Sequence, residues 1–486
     1  MEFLLCGSLE PKRKGRDFRP QSRERRGKKE FNSRQALVAP LRQTVYVAQC
    51  MDCTTPQERR AFGQARRKQV GRHRHDALHP KSRQLSALTI VERSMRGRVP
   101  ALIALKYQLM AESPFAFFRG AAPVMAADLA QLPSTGIVSQ ICGDAHVRNL
   151  GAYAAPDGRL VFDINGFDET IRGPFEWDLK RMAASLVLAA RAAGHKDGSA
   201  RRAAEACIER YAAQMRAFAR MTLLEVNRFQ VHRIDLAKPV HAALTKAERA
   251  TPQHTLQQLT APASARPLAP RRFKESQPTL TRVTGARAAA VLASLLPYRE
   301  TLEPQRRHLL SFYRPVDVAF KVVGTGSVGL RDYCIHMEGN GPADPLFLQI
   351  KEETASAYAP YLPDARPAPH NGQRVVEGQR AMQIQTDPFL GWTHVGSRQY
   401  LVRQLNDHKG SVEIADLAGV NLKAYAEVCG ELLARGHARS GDPQVISGYI
   451  GSGDAFAQAL ATFGVAYADR TEKDWDELKR SGKAKL

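Results

Sequence analysis

The hydrophobic positions along this chain follow two different periods, and the change between them divides the sequence. From about residue 86 to 132 and from 198 to 230, apolar residues recur at spacings of three and four, which predicts helices. From 137 to 171 the apolar runs are short and bounded by Gly, Asp and Asn, which predicts strands joined by loops. We therefore expect a mainly helical region that contains a few short strands.

The second half of the chain is richer in predicted strands. Residues 317–353 contain three apolar runs separated by a Gly-rich turn and a GNGP turn, which predicts an antiparallel meander. A helix at about 373–385, a strand at YLVRQL and helices near 421–438 and 454–481 follow it. The two patterns together predict an α+β protein.

The positive charge is concentrated at the start of the chain. The formal net charge is +23, and the first 100 residues carry 24 Lys and Arg against nine Asp and Glu. Dense like charge with few apolar residues predicts a basic, largely disordered arm over residues 1–85. A solvated tail is the simplest interpretation, and weak contact of the arm with nucleic acid or an anionic surface is the alternative.

Composition also excludes several classes of protein. No stretch approaches the roughly 18 apolar residues of a membrane span, and the apolar run at residues 1–5 is too short for a signal peptide, so we expect a cytoplasmic protein. Seven cysteines are scattered, and the only close pair, Cys50 and Cys53, has no further ligands at zinc-site spacing. Reduced thiols and no structural metal are expected.

The segment CGDAHVRNLG brings together residue types that phosphoryl transfer requires. Asp144 and Asn149 stand five residues apart, as in a kinase catalytic loop, and Asp163 lies at the end of the next predicted strand. A carboxylate accepts the proton of the attacking hydroxyl, while an amide oxygen and a second carboxylate hold the metal ions. Asp163 fits the metal position better than Asp168, which remains an alternative. Each of these residues is also a common turn former.

The motif GTGSVG matches G-x-G-x-x-G and lies between two predicted strands. This position argues against a dinucleotide-binding site, whose motif joins a strand to a helix. It favours a hairpin over ATP phosphates, in which missing side chains let backbone amides approach the oxygens. The predicted ATP-binding residues of the loop are Gly324, Gly326, Ser327 and Gly329.

The third strand of the meander carries a lysine that faces away from the core. In LFLQIKEE, Lys351 faces opposite to Ile350, as a lysine that pairs with the α- and β-phosphates must. A helix-borne carboxylate usually holds that lysine, and Glu377 is the best candidate. Glu352 and Glu353 are too close along the strand to share its geometry comfortably. An ordinary surface glutamate is an equally simple interpretation of Glu377.

The order of these motifs is reversed with respect to an ordinary kinase, since the Gly-rich loop follows Asp144 by about 180 residues. A circular permutation of a two-lobed, protein-kinase-like fold would reconcile the order. The predicted regions are a basic arm at 1–85, a helical catalytic lobe at 86–250, a Pro- and Ala-rich linker or long loop at 251–282, a strand-rich ATP-binding lobe at 283–410 and C-terminal helices at 411–486.

With these residues in hand, the chain resembles the uncharacterised bacterial family catalogued as domain of unknown function 2252. The resemblance runs from about residue 60 to the end. The matching blocks include SPFAFFRGAAPVMAADLA, CGDAHVRNLG, FDINGFDET, GPFEWDLKRMAASL, VGTGSVGLRDY, LQIKEE, GQRVVEGQRAMQ and LARGHARSGD.

The loop around Asp144 is also similar to that of aminoglycoside phosphotransferases. The similarity implies that Asp144 is the catalytic base, that Asn149 and Asp163 bind metal, and that Asp178 is a structural carboxylate that braces the loop. Cys142 stands where those enzymes carry His, and FDINGFD departs from their metal segment, which leaves Asp168 open as the ligand.

Three basic residues near this loop are further candidates. His146 and Arg148 lie within it, and Arg119 precedes it in FFRG. Each could contact phosphate or substrate, although a capped turn or a structural ion pair explains them as well. Of the three, Arg119 is the one we include among the catalytic candidates.

The expected function is ATP- and Mg²⁺-dependent phosphoryl transfer to a hydroxyl of an unknown small molecule or protein. Nucleotidyl transfer by the same fold is one alternative. A non-catalytic nucleotide-binding protein whose basic arm contacts nucleic acid is the other.

Overall fold

The structure is a computed structural model that describes residues 55–78, 83–231, 237–264, 269–362, 368–405 and 408–485. All of them lie in one compact unit, Thr44–Leu486, and a second unit, Met1–Gln43, falls outside the described residues. The protein has a mixed α+β architecture with several antiparallel sheets.

The α-helices of the described residues are α1 (Pro56–Gln69), α2 (Ala87–Ser94), α3 (Ile103–Ala111), α4 (Pro114–Gly120), α5 (Ala122–Leu129), α6 (Phe175–Ala192), α7 (Asp197–Phe218), α8 (Leu223–Arg228), α9 (Lys238–Arg249), α10 (Pro252–Leu259), α11 (Gly285–Ala293), α12 (Leu295–Arg299), α13 (Pro304–Leu310), α14 (Asn371–Met382), α15 (Asn421–Ser440), α16 (Pro443–Ile450) and α17 (Asp454–Arg480). The strands are β1 (Val138–Ile141), β2 (Leu150–Ala154), β3 (Leu160–Ile164), β4 (Ile171–Pro174), β5 (Thr260–Pro262), β6 (Arg271–Phe273), β7 (Leu280–Arg282), β8 (Arg314–Lys321), β9 (Asp332–Glu338), β10 (Pro345–Glu352), β11 (Gly391–Val395), β12 (Arg398–Gln404) and β13 (Gly410–Ser411).

The largest sheet has six antiparallel strands in the order β11-β12-β10-β9-β8-β7. The predicted meander is confirmed as β8, β9 and β10, and α14 connects β10 to β11. One face of the sheet is apolar, with Ile335, Leu348 and Val402 buried in a core shared with Tyr298 of α12. Alternate residues point to the opposite face, which therefore carries the polar side chains of β10.

The helical part is built around α6, α7, α15 and α17, and nearly every residue of α6 is buried. Helix α15 approaches α7 closely at Gly430, because a Cβ there would overlap the carbonyl oxygen of Cys207. The short pair β1-β4 and the three-stranded sheet β13-β2-β3 lie against these helices. The strands predicted at 137–171 and the helices on either side of them are confirmed.

Residues 55–78 differ from the disordered arm predicted over 1–85. Thr55 caps α1 through a capping box, and the helix packs against α16. Arg66 donates a 2.7 Å hydrogen bond to the carbonyl of Thr135, and Arg72 donates one of 2.8 Å to Ile450. Their charges satisfy carbonyls at helix ends and turns, a role that a count of basic residues does not reveal. Residues 1–54 lie outside the described part of the chain.

Residues 251–282 also differ from the predicted linker. Thr251 caps α10, and a hairpin of β5 and β6 follows, with residues 265–268 outside the described ranges. Leu256 and Phe273 are buried against Phe347 and Leu405 on the polar face of the large sheet. The segment covers one end of that face, and its few apolar residues carry too weak a period to predict this.

No helix among the described residues is long and apolar enough to span a membrane.

Candidate functional site

A cleft of about 280 Å³ lies between the uncovered end of the sheet's polar face and the loops that follow β1 and β3. Its chemically important lining residues are Arg119, Asp144, His146, Asn149, Asp168, Ser327, Lys351 and Arg403. Residues from two regions more than 150 positions apart in sequence therefore meet in one cavity.

The loop after β1 is held in place by side chains of α6. The carboxylate of Asp178 is completely buried and accepts hydrogen bonds from the amides of Cys142 at 2.8 Å and Gly143 at 2.9 Å. Ser185, two turns further along α6, accepts one from the amide of Val147 at 3.0 Å. The bracing role that the resemblance implied for Asp178 agrees with this geometry.

Asp144 is the ionised carboxylate at the centre of the loop. Arg181 of α6 donates from Nε to Oδ1 at 2.6 Å, and its guanidinium lies 4.2 Å from the ring centroid of Phe118. Burial raises the pKa of Asp144, but the charge and hydrogen bond of Arg181 outweigh burial and hold that pKa below its ordinary value. Oδ2 lies 3.6 Å from His146. The side chain is positioned to accept a proton or to orient a hydroxyl.

Asn149 lies between Asp144 and the loop after β3. Its Nδ2 donates to the carbonyl of Asp144 at 2.8 Å, and its own carbonyl accepts the amide of Asn165 at 2.9 Å. A Cβ on Gly166 would overlap the Asn149 side chain, so this close approach requires glycine. Among the described residues the Asn149 Oδ1 accepts no hydrogen bond, which leaves an amide oxygen for a cation.

Asp168 is the acidic residue that joins the two sides of the cleft. It forms a close ion pair with Lys351 and accepts a 3.1 Å hydrogen bond from the hydroxyl of Ser327 in the Gly-rich loop. Burial raises the pKa of Asp168, but the charge and hydrogen bond of Lys351 lower it by more. The net result is a pKa below the ordinary value. A carboxylate, a lysine and a Gly-rich loop thus meet at one point.

Asp163, which sequence spacing favoured as the metal ligand, lies elsewhere. It is buried outside the cleft, where it pairs closely with Arg435 of α15 and accepts the amide of Ile164 at 2.7 Å. Successive residues on a strand alternate between faces, and that alternation turns Asp163 toward α15. Asp168, four residues beyond the strand, is the one that reaches the cleft.

No cluster of three His, Cys, Asp or Glu side chains suited to a metal occurs among the described residues. Asn149 and Asp168 nevertheless fit Mg²⁺, because this ion commonly takes one or two protein oxygens and completes its shell with phosphate and water.

The carboxylate beside Lys351 comes from the residue that directly follows β10 and not from α14. Glu353 is 5% exposed, and its Oε1 lies 3.9 Å from the lysine Nζ. Burial raises the pKa of Glu353 well above its usual range. Glu377 is exposed on α14, where its carboxylate accepts a 2.7 Å hydrogen bond from Gln373. The expected pairing of Glu377 with Lys351 is therefore absent from this structure.

Helix α14 presents an arginine to the site where the glutamate was expected. Arg374 donates hydrogen bonds to the carbonyls of Asp168 at 2.8 Å and Thr354 at 2.9 Å. It thereby ties the loop after β3 to the end of β10.

A hydrogen-bonded polar row crosses three strands next to Lys351. Arg403 of β12 donates to Gln349 at 2.9 Å, and Gln349 donates to Asp332 of β9 at 2.6 Å. Burial raises the pKa of Asp332 to about 7, although Lys351 lowers it. The row gives the cleft wall donors and acceptors.

Arg119 and His146 also line the cleft. The guanidinium of Arg119, at the end of α4, has no ion-pair partner among the described residues. His146 is buried, and burial lowers its pKa to about 3, so it is neutral at ordinary pH. Arg148 pairs with Glu413 at 3.0 Å. The guanidinium of Arg119 is therefore available to pair with an anionic ligand in the cleft.

Sequence reasoning missed several residues of the site, but each left a signal. Glu353 shares the strand face of Lys351, as i and i+2 positions must. Arg181 is one helical turn from Asp178 and so lies on the same side of α6. Lys106 stands alone in the apolar run ALIALKYQLM. A lone lysine in such a run predicts a buried charge with a specific partner.

The fold is mixed α+β, and its cleft is lined by carboxylates together with lysine and arginine side chains. A family described as uncharacterized protein conserved in bacteria (DUF2252) matches residues 98–481, and the chain belongs to this family. No curated protein and no solved structure matches the chain.

Proposed function

We propose that the protein is a kinase-like phosphotransferase that uses ATP and Mg²⁺ to phosphorylate a hydroxyl group of a small molecule or protein. The observation that carries the proposal is the meeting of Ser327, Lys351 and Asp168 in one cleft with Asp144 and Asn149. Phosphoryl transfer depends on this combination of positioned cation, metal-binding oxygens and base.

In the proposed reaction each side chain has one task. The Gly-rich loop and Lys351 would hold the phosphate chain. Asn149 and Asp168 would hold Mg²⁺, which would supply charge neutralisation for the phosphates. Asp144 orients the acceptor hydroxyl and takes its proton as the new oxygen–phosphorus bond forms and the bond to the leaving ADP breaks. Arg119 stabilises charge on the transferred group.

We further propose that the fold is a circularly permuted kinase-like fold. Support comes from the end of α15, where the hydroxyl of Ser440 lies 3.4 Å from the carbonyl of Gln140 in β1. A short link at this point would place the sheet with its Gly-rich loop before the loop of Asp144, which is the ordinary kinase order. The helix α14 that follows the lysine strand has the corresponding place in kinases.

The test is binding of Mg·ATP to the full-length protein, followed by thermal unfolding. At 100 times Kd we expect a stabilisation of about 2.7 kcal/mol, or roughly 3 °C in Tm. Lys351→Met should abolish the shift, while Lys423→Met, at an exposed position on α15, should retain it. Absence of any shift in the wild-type protein would refute the proposal.

The type of transfer is tested with ATP labelled at either end of its phosphate chain. Phosphoryl transfer predicts that product acquires label from the γ-phosphate only. Label from the α-phosphate alone would show that the protein transfers a nucleotidyl group and is not a kinase.

A further inference from the structure

The Gly-rich loop is attached on its outer side to residues 97–106, which we name the clamp. Arg98 donates to the carbonyl of Val328 at 2.6 Å, and the amide of Val99 donates to Gly329 at 2.7 Å. In return, Arg331 donates to the carbonyl of Gly97 at 3.0 Å. The loop is therefore fixed by a segment that belongs to the helical part of the protein.

Lys106 of α3 makes two further contacts of the clamp with the loop. This side chain is 1% exposed, and its Nζ donates to the carbonyls of Thr325 at 3.1 Å and Gly326 at 2.7 Å. Thr325 and Gly326 line the cleft and Lys106 does not, so the lysine lies behind the loop. In a planar trans peptide, the carbonyl and the following amide point in opposite directions. The amides of Gly326 and Ser327 are thereby directed toward the cleft.

Lys106 also has no carboxylate partner within 4 Å among the described residues. Burial lowers its pKa well below the usual range, and the more distant carboxylates of Glu169 and Asp144 oppose this only in part. A buried charge is costly unless an opposite charge compensates it. An anion on the cleft side of the loop would supply that compensation.

We propose that Lys106 is a positioning residue: it orients two loop amides toward the cleft and adds positive charge behind them, which makes the loop a site for a phosphate chain. The inference rests on the proposed function, since it assigns the donor's phosphates to this loop. It adds a second lysine, from outside the strand-rich region, to the phosphate site.

The test compares Lys106→Met with the matched variant Lys180→Met, which removes an equally buried lysine from α6 at a site outside the cleft. Without nucleotide, hydrogen exchange of residues 322–330 should accelerate at least tenfold in Lys106→Met and stay unchanged in Lys180→Met. Unchanged exchange in Lys106→Met would overturn the orienting role.

Nucleotide affinity then separates a phosphate-specific role from a general structural one. For Lys106→Met we expect Kd to rise at least tenfold for Mg·ATP, less for ADP, and not at all for adenosine. An equal loss for all three ligands, or no loss for ATP, would overturn the inference while leaving the proposed function intact. A wild-type protein that binds no Mg·ATP would instead refute the proposed function.

A second variant covers the case in which Lys106→Met does not fold. Lys106→Gln keeps an N–H donor but removes the charge, so loop exchange should stay within about threefold of wild type while the affinity for Mg·ATP still falls. Wild-type affinity in this variant would overturn the contribution of the charge.

Discussion

At the scale of single residues, two aspartates near one hairpin have opposite surroundings. Asp168 faces the cleft beside Lys351, whereas Asp163 is buried against Arg435. The two residues are close in sequence, but we expect different roles for them because their carboxylates contact different partners. Substitution of each by the isosteric asparagine distinguishes a ligand-binding role from a structural one.

Asp168→Asn should leave the fold intact and abolish the Mg²⁺ dependence of ATP binding, because a charged oxygen is lost from the metal site. Asp163→Asn should instead lower the free energy of unfolding by about 3–5 kcal/mol, since the guanidinium of Arg435 stays buried without its partner. Urea unfolding and a Mg²⁺ titration of ATP affinity measure the two effects. If the Asp163→Asn variant were as stable as wild type and bound ATP independently of Mg²⁺, Asp163 would be the metal ligand and Asp168 would not.

Asp332 predicts a pH dependence of stability. Its folded-state pKa is about 7, above the roughly 3.9 of an unfolded chain, so between these values the folded state holds a proton that the unfolded state has lost. Stability therefore falls as pH rises from about 4 to 7 and is level above that. The loss from this residue is of the order of 2–4 kcal/mol.

Asp332→Asn removes this titration while keeping an oxygen that can accept from Gln349. The variant should match wild type near pH 4.5 and exceed it in unfolding free energy at pH 8. Chemical denaturation at the two pH values measures the difference. Parallel pH profiles for the two proteins would mean that Asp332 is not the group responsible.

The residues also set the limit of prediction from sequence. Asp144, Asn149, Lys351 and the Gly-rich loop were identified because their spacing is fixed by local chemistry, and the structure places them in one cleft. The i+2 spacing places Glu353 on the side of Lys351, but how close the two side chains come depends on how the strand end twists. Spacing along a chain does not contain that information.

At the scale of elements, the close packing of α15 on α7 fixes the helix that carries Arg435 and His437. His437 lies 3.2 Å from Asp178, the brace of the loop of Asp144. The packing depends on Gly430, where any side chain would meet the backbone of α7. A shift of α15 would therefore move His437 and disturb Asp178, which supports the loop of Asp144.

Gly430→Ala should destabilise the protein by about 1–3 kcal/mol, despite the roughly 1 kcal/mol that alanine contributes to helix propensity. The matched control is Gly436→Ala on the same helix, where the nearest atom is the flexible Cε of Met382. That variant should be close to neutral. Equal Tm values for the two variants would show that the close approach of α15 to α7 does not contribute to stability.

Helices and the meander were predictable from periodicity because each has a strongly apolar face. The coverage of the sheet by α10 and the β5-β6 hairpin was not, since only a few residues such as Leu256 and Phe273 make the contact. Short elements of this kind are held by tertiary packing, which no local period records.

At the scale of the whole molecule, the cleft is assembled from segments that lie far apart in the chain. The N-terminal helices α2 to α5 precede the loop of Asp144, and residues of this stretch hold the Gly-rich loop that comes more than 200 positions later. Cleft assembly thus requires nearly the entire family-matched region, 98–481. A fragment carrying only the strand-rich lobe should not bind nucleotide well.

The packing of residues 55–78 predicts how truncation of the chain affects stability. His75 is buried, with a ring nitrogen 2.7 Å from the hydroxyl of Tyr449, and α1 packs on α16. Removal of residues 1–54 should therefore preserve Tm within about 2 °C, whereas removal of residues 1–78 should lower Tm by 10 °C or more through loss of that packing. Differential scanning calorimetry of both truncations measures this.

The same pair of truncations tests the basic arm. Arg66 and Arg72 donate to carbonyls of the folded body, so any phosphate binding by the arm falls mainly to basic residues before position 55. If the arm contacts nucleic acid, the full chain should bind it with an affinity that falls steeply with salt, and the 1–54 truncation should lose that binding. Salt-sensitive binding that survives this truncation would assign the contact to the folded body, where the cleft cations Arg119 and Arg403 are the first candidates.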